Sequence, residues 1–260
     1  MTAGPAGLVV AHLSDLHLGA HDPEAAESVI ADVAAARPTL TVVTGDCTMR
    51  ARTGEFRQAR GLLDRLPGRR LVVLGNHDVP LISVQRLVAP YRRYRRLAEP
   101  DLEPVVRLPG LAAFGLPTAP AWRWKSGRVS RRQCDAVGTV LGAAPVDDIR
   151  LLAVHHPPSA TGLATMVGRR HLLTALAAAR VDLVLAGHTH VPAAGPVRLP
   201  GSAHRPIEVV AGTATSRRLR GVGRSWTVIR VDAELITIEE RHQDASGWCT
   251  GPVRRWERSR

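Results

Sequence analysis

The sequence predicts an α/β protein: two β-sheets packed face to face with helices on both outer faces, a four-layer α/β/β/α sandwich with its candidate site at the C-terminal ends of the strands. Three observations carry this reading. Short apolar, β-rich runs alternate with stretches of helical period as far as position 190, the pattern of strands joined by helical crossovers. The last third drops the helical period and keeps β-like runs separated by turn residues. Finally, five of the apolar runs end in Asp, Asn or His, and ligands of open α/β sheets collect beyond the carboxyl ends of the strands.

The elements follow in chain order. Leu8–Leu13 (LVVAHL) reads as a strand. Asp22-Pro23 then supplies an N-cap and a first-turn proline, and Ala25, Ala26, Val29, Ile30 and Val33 recur at helical spacing. Leu40–Val43 is a second strand, Phe56, Ala59, Leu62, Leu63 and Leu66 mark one face of a second helix, and 71–74 is a third strand. The stretch 84–98, with Arg92, Arg93, Arg95 and Arg96, reads as a solvated helix face. Strands at Ile149–Val154 and 181–186 flank a helix over 169–180. The runs 207–211, 226–231 and 235–240 are β-like, with a hairpin turn at Val231-Asp232-Ala233-Glu234, and they supply the second sheet of the sandwich. With no repeat and no long linker, residues 1–260 read as a single domain. That length can bury a sizeable core. Trp, Tyr and Phe make up only 3% of it, so Leu, Val, Ile and Ala must fill that core.

The formal net charge is +12, which favours anionic partners: phosphorylated metabolites, nucleic acid or an acidic membrane surface. Lys125 is the only lysine. Arginine, alanine, glycine and proline are abundant together, as in a GC-rich genome, so part of the charge is compositional. Cys47, Cys134 and Cys249 are far apart and odd in number, which suits a reducing cytoplasm better than a disulfide framework or a zinc ribbon. No apolar run is long enough to span a bilayer, and the N-terminus has no signal-peptide pattern.

The strand-end residues are Asp15-Leu16-His17, Asp46, Asn76-His77-Asp78, His155-His156 and His188-Thr189-His190. Carboxylates and an amide oxygen are hard ligands and imidazoles are borderline, a mixture suited to manganese, iron or zinc rather than to an all-oxygen calcium site. Residues two apart at a strand end share a face, so Asp15 pairs with His17 and His188 with His190. Gly45, Gly75 and Gly187 precede three of the groups and permit tight turns there. If the five strands are parallel neighbours, all five loops meet on one rim.

This ordered series, closed by Gly187-His188-Thr189-His190 and including His155-His156-Pro157-Pro158, resembles the metallophosphoesterase (calcineurin-like phosphoesterase) family over about residues 8 to 190. Within that family it most resembles the bacterial class III cyclic-nucleotide phosphodiesterases. The resemblance implies two metal ions, one held by Asp15, His17 and His190 and the other by Asn76, His155 and His188, with Asp46 bridging. It prefers His155 over His156 as the ligand. It implies attack on a phosphodiester by a metal-bridging hydroxide, with His77 reaching the scissile phosphate or leaving oxygen as an imidazolium and Asp78 orienting His77. A 3′,5′-cyclic nucleotide or another small phosphodiester is the leading substrate. The alternatives are a nuclease or DNA-processing exonuclease, a phosphomonoesterase, and a non-catalytic scaffold. Nucleic acid is not favoured, because the chain has no evident extra domain and no lysine–aromatic track for a strand.

Weaker signals remain. Trp122-Arg123-Trp124-Lys125 lies between the two ligand-bearing halves, and Trp122, Arg123 and Trp124 are candidate substrate contacts through stacking and charge. Residues 212–218 follow a predicted strand and are candidates to line the same rim. His12 and Cys47 read as buried core residues.

Overall fold

The computed structural model describes residues 7–123, 125–162 and 165–258. It contains two six-stranded mixed sheets with helices on their outer faces. The first sheet takes β1 (Leu8–Leu13), β2 (Leu40–Val43) and β3 (Arg69–Val72) as parallel neighbours, then extends from β1 through antiparallel β10 (Ser225–Val231), β11 (Leu235–Asp244) and β12 (Gly247–Glu257). The second runs β4 (Val105–Leu108), β5 (Leu111–Leu116), β6 (Ile149–Val154), β7 (Leu183–His190), β9 (Ile207–Gly212) and β8 (Ala193–Pro196), with β5, β6, β7 and β9 parallel.

Sheet membership therefore differs from the sequence expectation. The five ligand-bearing strands are not neighbours in one sheet: β1, β2 and β3 belong to the first, β6 and β7 to the second. Nor does the C-terminal third build the second sheet, since β10, β11 and β12 complete the first and β9 joins the second. The reason is that strands buried on both faces read as continuous apolar runs, which carry no alternation to say which neighbour they pair with. Several strands went unread for local reasons. β5 (LAAFGL) has no β-branched residue, and β12 is interrupted by Gly251-Pro252; a proline is tolerated there because β12 is an edge strand.

The core has three layers of contact. Val10, Val42, Leu71 and Val73 of the first sheet meet Ala113, Leu151, Leu185 and Val209 of the second between the sheets. Alternate residues such as Leu13 and Val43 pack outward on α1 (Pro23–Ala35) and α2 (Thr53–Arg65). Leu152, Val154 and Val184 pack on α5 (Arg131–Leu141) and α6 (Arg169–Ala178). Helix α1 starts as expected: Asp22 accepts from the Glu24 and Ala25 amides and Pro23 occupies the first turn, satisfying amides that no helical carbonyl reaches. The turn between β10 and β11 is the expected one, with Asp232 accepting from the Glu234 and Leu235 amides.

The stretch 84–98 departs from expectation. It forms two short helices, α3 (Val84–Val88) and α4 (Arg92–Leu97). In α3 the polarity is inverted: Arg86 is buried while Val84, Leu87 and Val88 face solvent. Arg86 donates to the carbonyls of Pro80 and Arg123, which ties this segment to the 122–125 loop. Among the described residues, no helix is long and apolar enough to cross a membrane.

Candidate metal centre

Although they come from two sheets, the five loops meet at one edge, because the parallel strands of both layers end on the same side. Asp15 donates its amide to the Gly45 carbonyl and His17 to the Asp46 carbonyl, locking the first two loops together. Across the layers, the Gly187 amide donates to the His155 carbonyl and the His188 amide to Asp15 Oδ2, 2.9 Å away.

The backbone here is strained where the candidate side chains are. Asp15, His17, Asp46, His188 and His190 all have left-handed φ between +49° and +69°, a region costly for residues other than glycine. Strand alternation therefore does not align Asp15 with His17, or His188 with His190; each side chain is turned inward by its own left-handed residue. The glycines also act differently from expectation. Gly45 has a φ of +94°, but Gly75 and Gly187 are needed for space: a Cβ on Gly75 would lie 2.1 Å from the Asp46 nitrogen, and one on Gly187 1.8 Å from Ser14 Oγ.

Two sets of donor atoms result. In the first, His190 Nε2 is 3.0 Å from Asp15 Oδ1, His17 Nε2 is 3.7 Å from the same oxygen, and the two nitrogens are 3.1 Å apart. In the second, Asn76 Oδ1 lies 3.1 Å from His155 Nε2 and 3.0 Å from His188 Nδ1. Atoms about 2.1 Å from a shared cation lie roughly 3.0–3.5 Å from one another, so both sets have suitable spacing. Asp46 Oδ2 stands between them, 3.8 Å from His17 Nε2 and 3.5 Å from His155 Nε2.

The far ring nitrogens identify the inward-facing ones. His155 Nδ1 faces the Thr44 carbonyl at 2.7 Å and His190 Nδ1 the Arg218 carbonyl at 2.9 Å. A carbonyl only accepts, so each Nδ1 carries the hydrogen and each Nε2 points a lone pair at oxygen atoms of Asn76, Asp46 or Asp15. Acceptors aimed at acceptors call for positive charge between them, and Asp15 Oδ1 is buried with no hydrogen-bond partner. The donor set fits a pair of transition-metal ions. Burial acts to lower the His155 pKa, but the Asp46 and Asp15 carboxylates and the Thr44 carbonyl together push it up to about 9. Burial likewise opposes ionisation of Asp15, yet the imidazoles of His17, His190 and His155 around it hold its carboxyl well below the usual range.

His156 is buried beside His155 but faces elsewhere. Its amide donates to Thr118 Oγ1, leaving that hydroxyl to donate to His156 Nδ1 at 2.8 Å, while Nε2 donates to the Lys125 carbonyl at 3.0 Å. Both ring nitrogens are used, so its nearness to His155 and His188 does not make it a ligand.

A family model described as calcineurin-like phosphoesterase matches residues 8–192. The chain belongs to the calcineurin-like phosphoesterase family. No curated protein matches its sequence. Among solved structures it is similar to purple acid phosphatase from yellow lupin seeds (TM-score 0.76, 11% identity), covering 96% of this chain and 53% of that one. It is also similar to PhoD (TM-score 0.72, 12% identity, 98% and 70% covered) and to a predicted phosphoesterase from Streptococcus pneumoniae (0.52, 15%, 98% and 99%). The chain thus spans about half the length of the lupin enzyme. At these identities the likeness is one of fold.

In this calcineurin-like phosphoesterase His77 sits at the rim, its ring 4.8 Å from that of His17 and edge-on to it. Its amide donates to Asp46 Oδ1 at 2.7 Å, and its Nδ1 donates to the Met49 carbonyl at 2.8 Å. Its Nε2 lies 3.3 Å from an Arg218 guanidinium nitrogen. Burial, together with the nearby His17 and Arg218, outweighs the pull of Asp46 and lowers the His77 pKa. The expected imidazolium is therefore a neutral ring, with the Arg218 guanidinium beside it as the cation.

Asp78 does not orient His77. Its carboxylate accepts from the amides of Cys47, Thr48 and Gly75 and from Thr48 Oγ1, pinning the Asp46 loop to the Asn76 turn. Burial and the nearby Asp46 charge raise its pKa to about 6, against those four donors. His12 and Cys47 are buried, as expected.

Beside the donor atoms lies a cavity of about 250 Å³ lined by Arg50, Asn76, His77, Leu81, Lys125 and Arg218, among others. Of the 122–125 loop, Lys125 reaches it, whereas Trp122 and Arg123 do not. Trp122 lines a separate, larger cavity of about 530 Å³, where Arg128 lies over its ring, and Arg123 is bonded to Ser126. Trp124 lies outside the described residues. The larger cavity contains none of the metal-binding candidates, so size does not locate the chemistry here.

Sequence reasoning put the 212–218 segment, Arg218 included, at the same rim but gave none of its residues a role. Thr213 and Thr215 donate to the Asp15 and Leu16 carbonyls, bracing the first loop, while Arg218 serves both His190 and His77. The only sequence signal was its position just past a strand, Thr213 to Arg218 following β9.

Proposed function

We propose that the chain is a dinuclear metal-dependent phosphoesterase acting on a small phosphodiester. Asp15, His17 and His190 would hold one cation, Asn76, His155 and His188 would hold the other, and Asp46 would serve both. The observation that carries this is Asp46 Oδ2, within 3.8 Å of His17 Nε2 on one side and 3.5 Å of His155 Nε2 on the other. When bound, such a pair of ions, manganese, iron or zinc by donor type, supplies activation of water near neutral pH and neutralises phosphate charge.

The chain's own groups do the rest. Arg218, Arg50 and Lys125 line the adjoining cavity and hold phosphate oxygens by charge. His77, neutral and fixed on the Met49 carbonyl, presents Nε2 at the cavity as a proton acceptor or relay. Asp78 positions the Asp46 and Asn76 loops and does not touch substrate. A 3′,5′-cyclic nucleotide is the soluble diester that the sequence resemblance favours, although no aromatic side chain lines this cavity among the described residues. Cys47 and Cys134 are buried, separate thiols, in keeping with a reducing compartment, and residues 1–260 act as a single domain.

The test is a panel of phosphodiesters and phosphomonoesters, with bis(p-nitrophenyl) phosphate and 3′,5′-cyclic AMP among them, assayed with manganese. Turnover of diesters over monoesters is expected. Monoester preference would reassign the substrate class, and absence of all turnover in protein carrying two metals would reject the enzyme reading.

A further inference from the structure

The inverted segment at the cavity mouth has no role in the chemistry just described. Leu81 lines the cavity and begins a ridge in which Ile82 is 81% exposed, Val84 76%, Leu87 85% and Val88 77%. Scattered exposed apolar side chains are ordinary, but a contiguous set is not. This set is also deliberate in its chemistry, since the one arginine within it, Arg86, is turned inward onto the Pro80 and Arg123 carbonyls.

The surroundings are cationic. From residue 79 to 98 there are Arg86, Arg92, Arg93, Arg95 and Arg96 but no aspartate or glutamate, and Arg92, Arg95 and Arg96 are exposed. Arg50 and Lys125 are exposed on the same cavity. On the loop that carries Arg218, Leu219 is exposed between Arg218 and Arg220, with Arg217 exposed beside them. Asp101 and Glu103 share a cavity with Arg95 just beyond this segment, but arginines outnumber them, and apolar tips flanked by arginines are what the interface of an anionic bilayer accepts: the side chains enter the acyl boundary and the guanidinium groups meet lipid phosphates. A protein partner matched to this ridge would need a similarly acidic rim around an apolar centre, a more specific demand than a lipid surface makes.

We propose that the ridge 81–88, with the arginines of α4 and the 217–220 loop, docks the protein on an anionic membrane surface and holds the metal centre against it. The substrate class that follows is a phosphoester carried by a lipid headgroup in place of a soluble diester, a clause that rests on the phosphoesterase reading above. The docking itself does not depend on it.

The experiment uses the metal-loaded full chain. Its co-sedimentation is measured with vesicles of phosphatidylcholine alone and of phosphatidylcholine mixed with phosphatidylglycerol, alongside the variant Ile82→Ser/Leu87→Ser/Val88→Ser. None of these three side chains lines the cavity, and all are exposed, so the fold is retained. The wild-type chain is expected to bind the anionic vesicles, more weakly at high salt, and the variant to lose about tenfold or more in affinity, with bis(p-nitrophenyl) phosphate turnover unchanged. Binding that is absent, or equal in the two proteins, overturns the proposal. So does a wild-type dimer that becomes monomeric in the variant, which would assign the ridge to self-association. Vesicle binding without turnover of any phosphoester would leave the docking intact and remove the phosphoesterase reading instead.

Discussion

The two sheets contribute unequally to the centre. Loops of the first carry Asp15, His17, Asp46 and Asn76, hence every oxygen donor; loops of the second carry His155, His188 and His190, hence imidazole alone. Yet neither donor set belongs to one sheet. His190 completes the set begun by Asp15 and His17, and Asn76 completes the one begun by His155 and His188. The arrangement is a clamp across layers: carboxylates from one side, and from the other imidazoles of which His155 and His190 are anchored on backbone carbonyls. A cation bound there would hold the sheets together at the rim as well as serve the chemistry.

The sharpest way to break this comparison is at Asp46, the group common to both sets. Asp46→Ala is expected to bring turnover to background and to lose both metals together, read by elemental analysis beside a bis(p-nitrophenyl) phosphate assay. Full metal loading in that variant would contradict the bridging role. His77 tests the opposite case, a rim residue outside both sets. His77→Ala should lower turnover by about 10²–10⁴-fold while metal content stays that of the wild type; a lost metal would make His77 a ligand.

The cross-layer clamp predicts a stability effect too. Metal at about a hundredfold above its dissociation constant should add roughly 2.7 kcal/mol to unfolding, so chelation should lower Tm, and an unchanged Tm would separate metal binding from layer cohesion. A smaller effect concerns the second sheet's supports. Thr118→Val removes the hydroxyl that holds His156 beside His155; because His156 lies outside both donor sets, metal content is expected to stay that of the wild type while unfolding becomes easier by about 1–3 kcal/mol, read from denaturant melts, and a lost metal would bring His156 into the centre. His155 itself keeps its Thr44 anchor. The smallest effect is expected at Trp122, which faces the other cavity: Trp122→Ala should alter kcat/KM by no more than about twofold, the usual scale of a surface change. A larger loss would return the 122–125 loop to the substrate site.

Much of the site was legible because its signals are local. A β-rich run followed by Asp-x-His or Gly-Asn-His places a ligand-type residue at a strand end whatever the strand pairs with, and the Asp22-Pro23 cap announced α1 in the same way. Helix α5 was legible but passed over: Ser130 and Gln133 form a capping box, and Cys134, Val137 and Leu141 mark its buried side. The place of Arg218 at the rim was legible but its role was not, because nothing near it in sequence shows that its carbonyl meets His190 and its guanidinium meets His77.

The sequence by itself determined the four-layer class, the strand ends and the donor types, since these depend on periodicity and on neighbours a few residues apart. Only the tertiary structure decided that the strands divide between two sheets and that His155 rather than His156 turns inward. It alone decided that His77 is neutral beside Arg218 and that α3 buries its arginine and exposes its aliphatics. Those outcomes rest on hydrogen bonds and burial between segments up to some two hundred positions apart, as with Thr213 and Asp15. No local pattern records which carbonyl a distant ring nitrogen will meet.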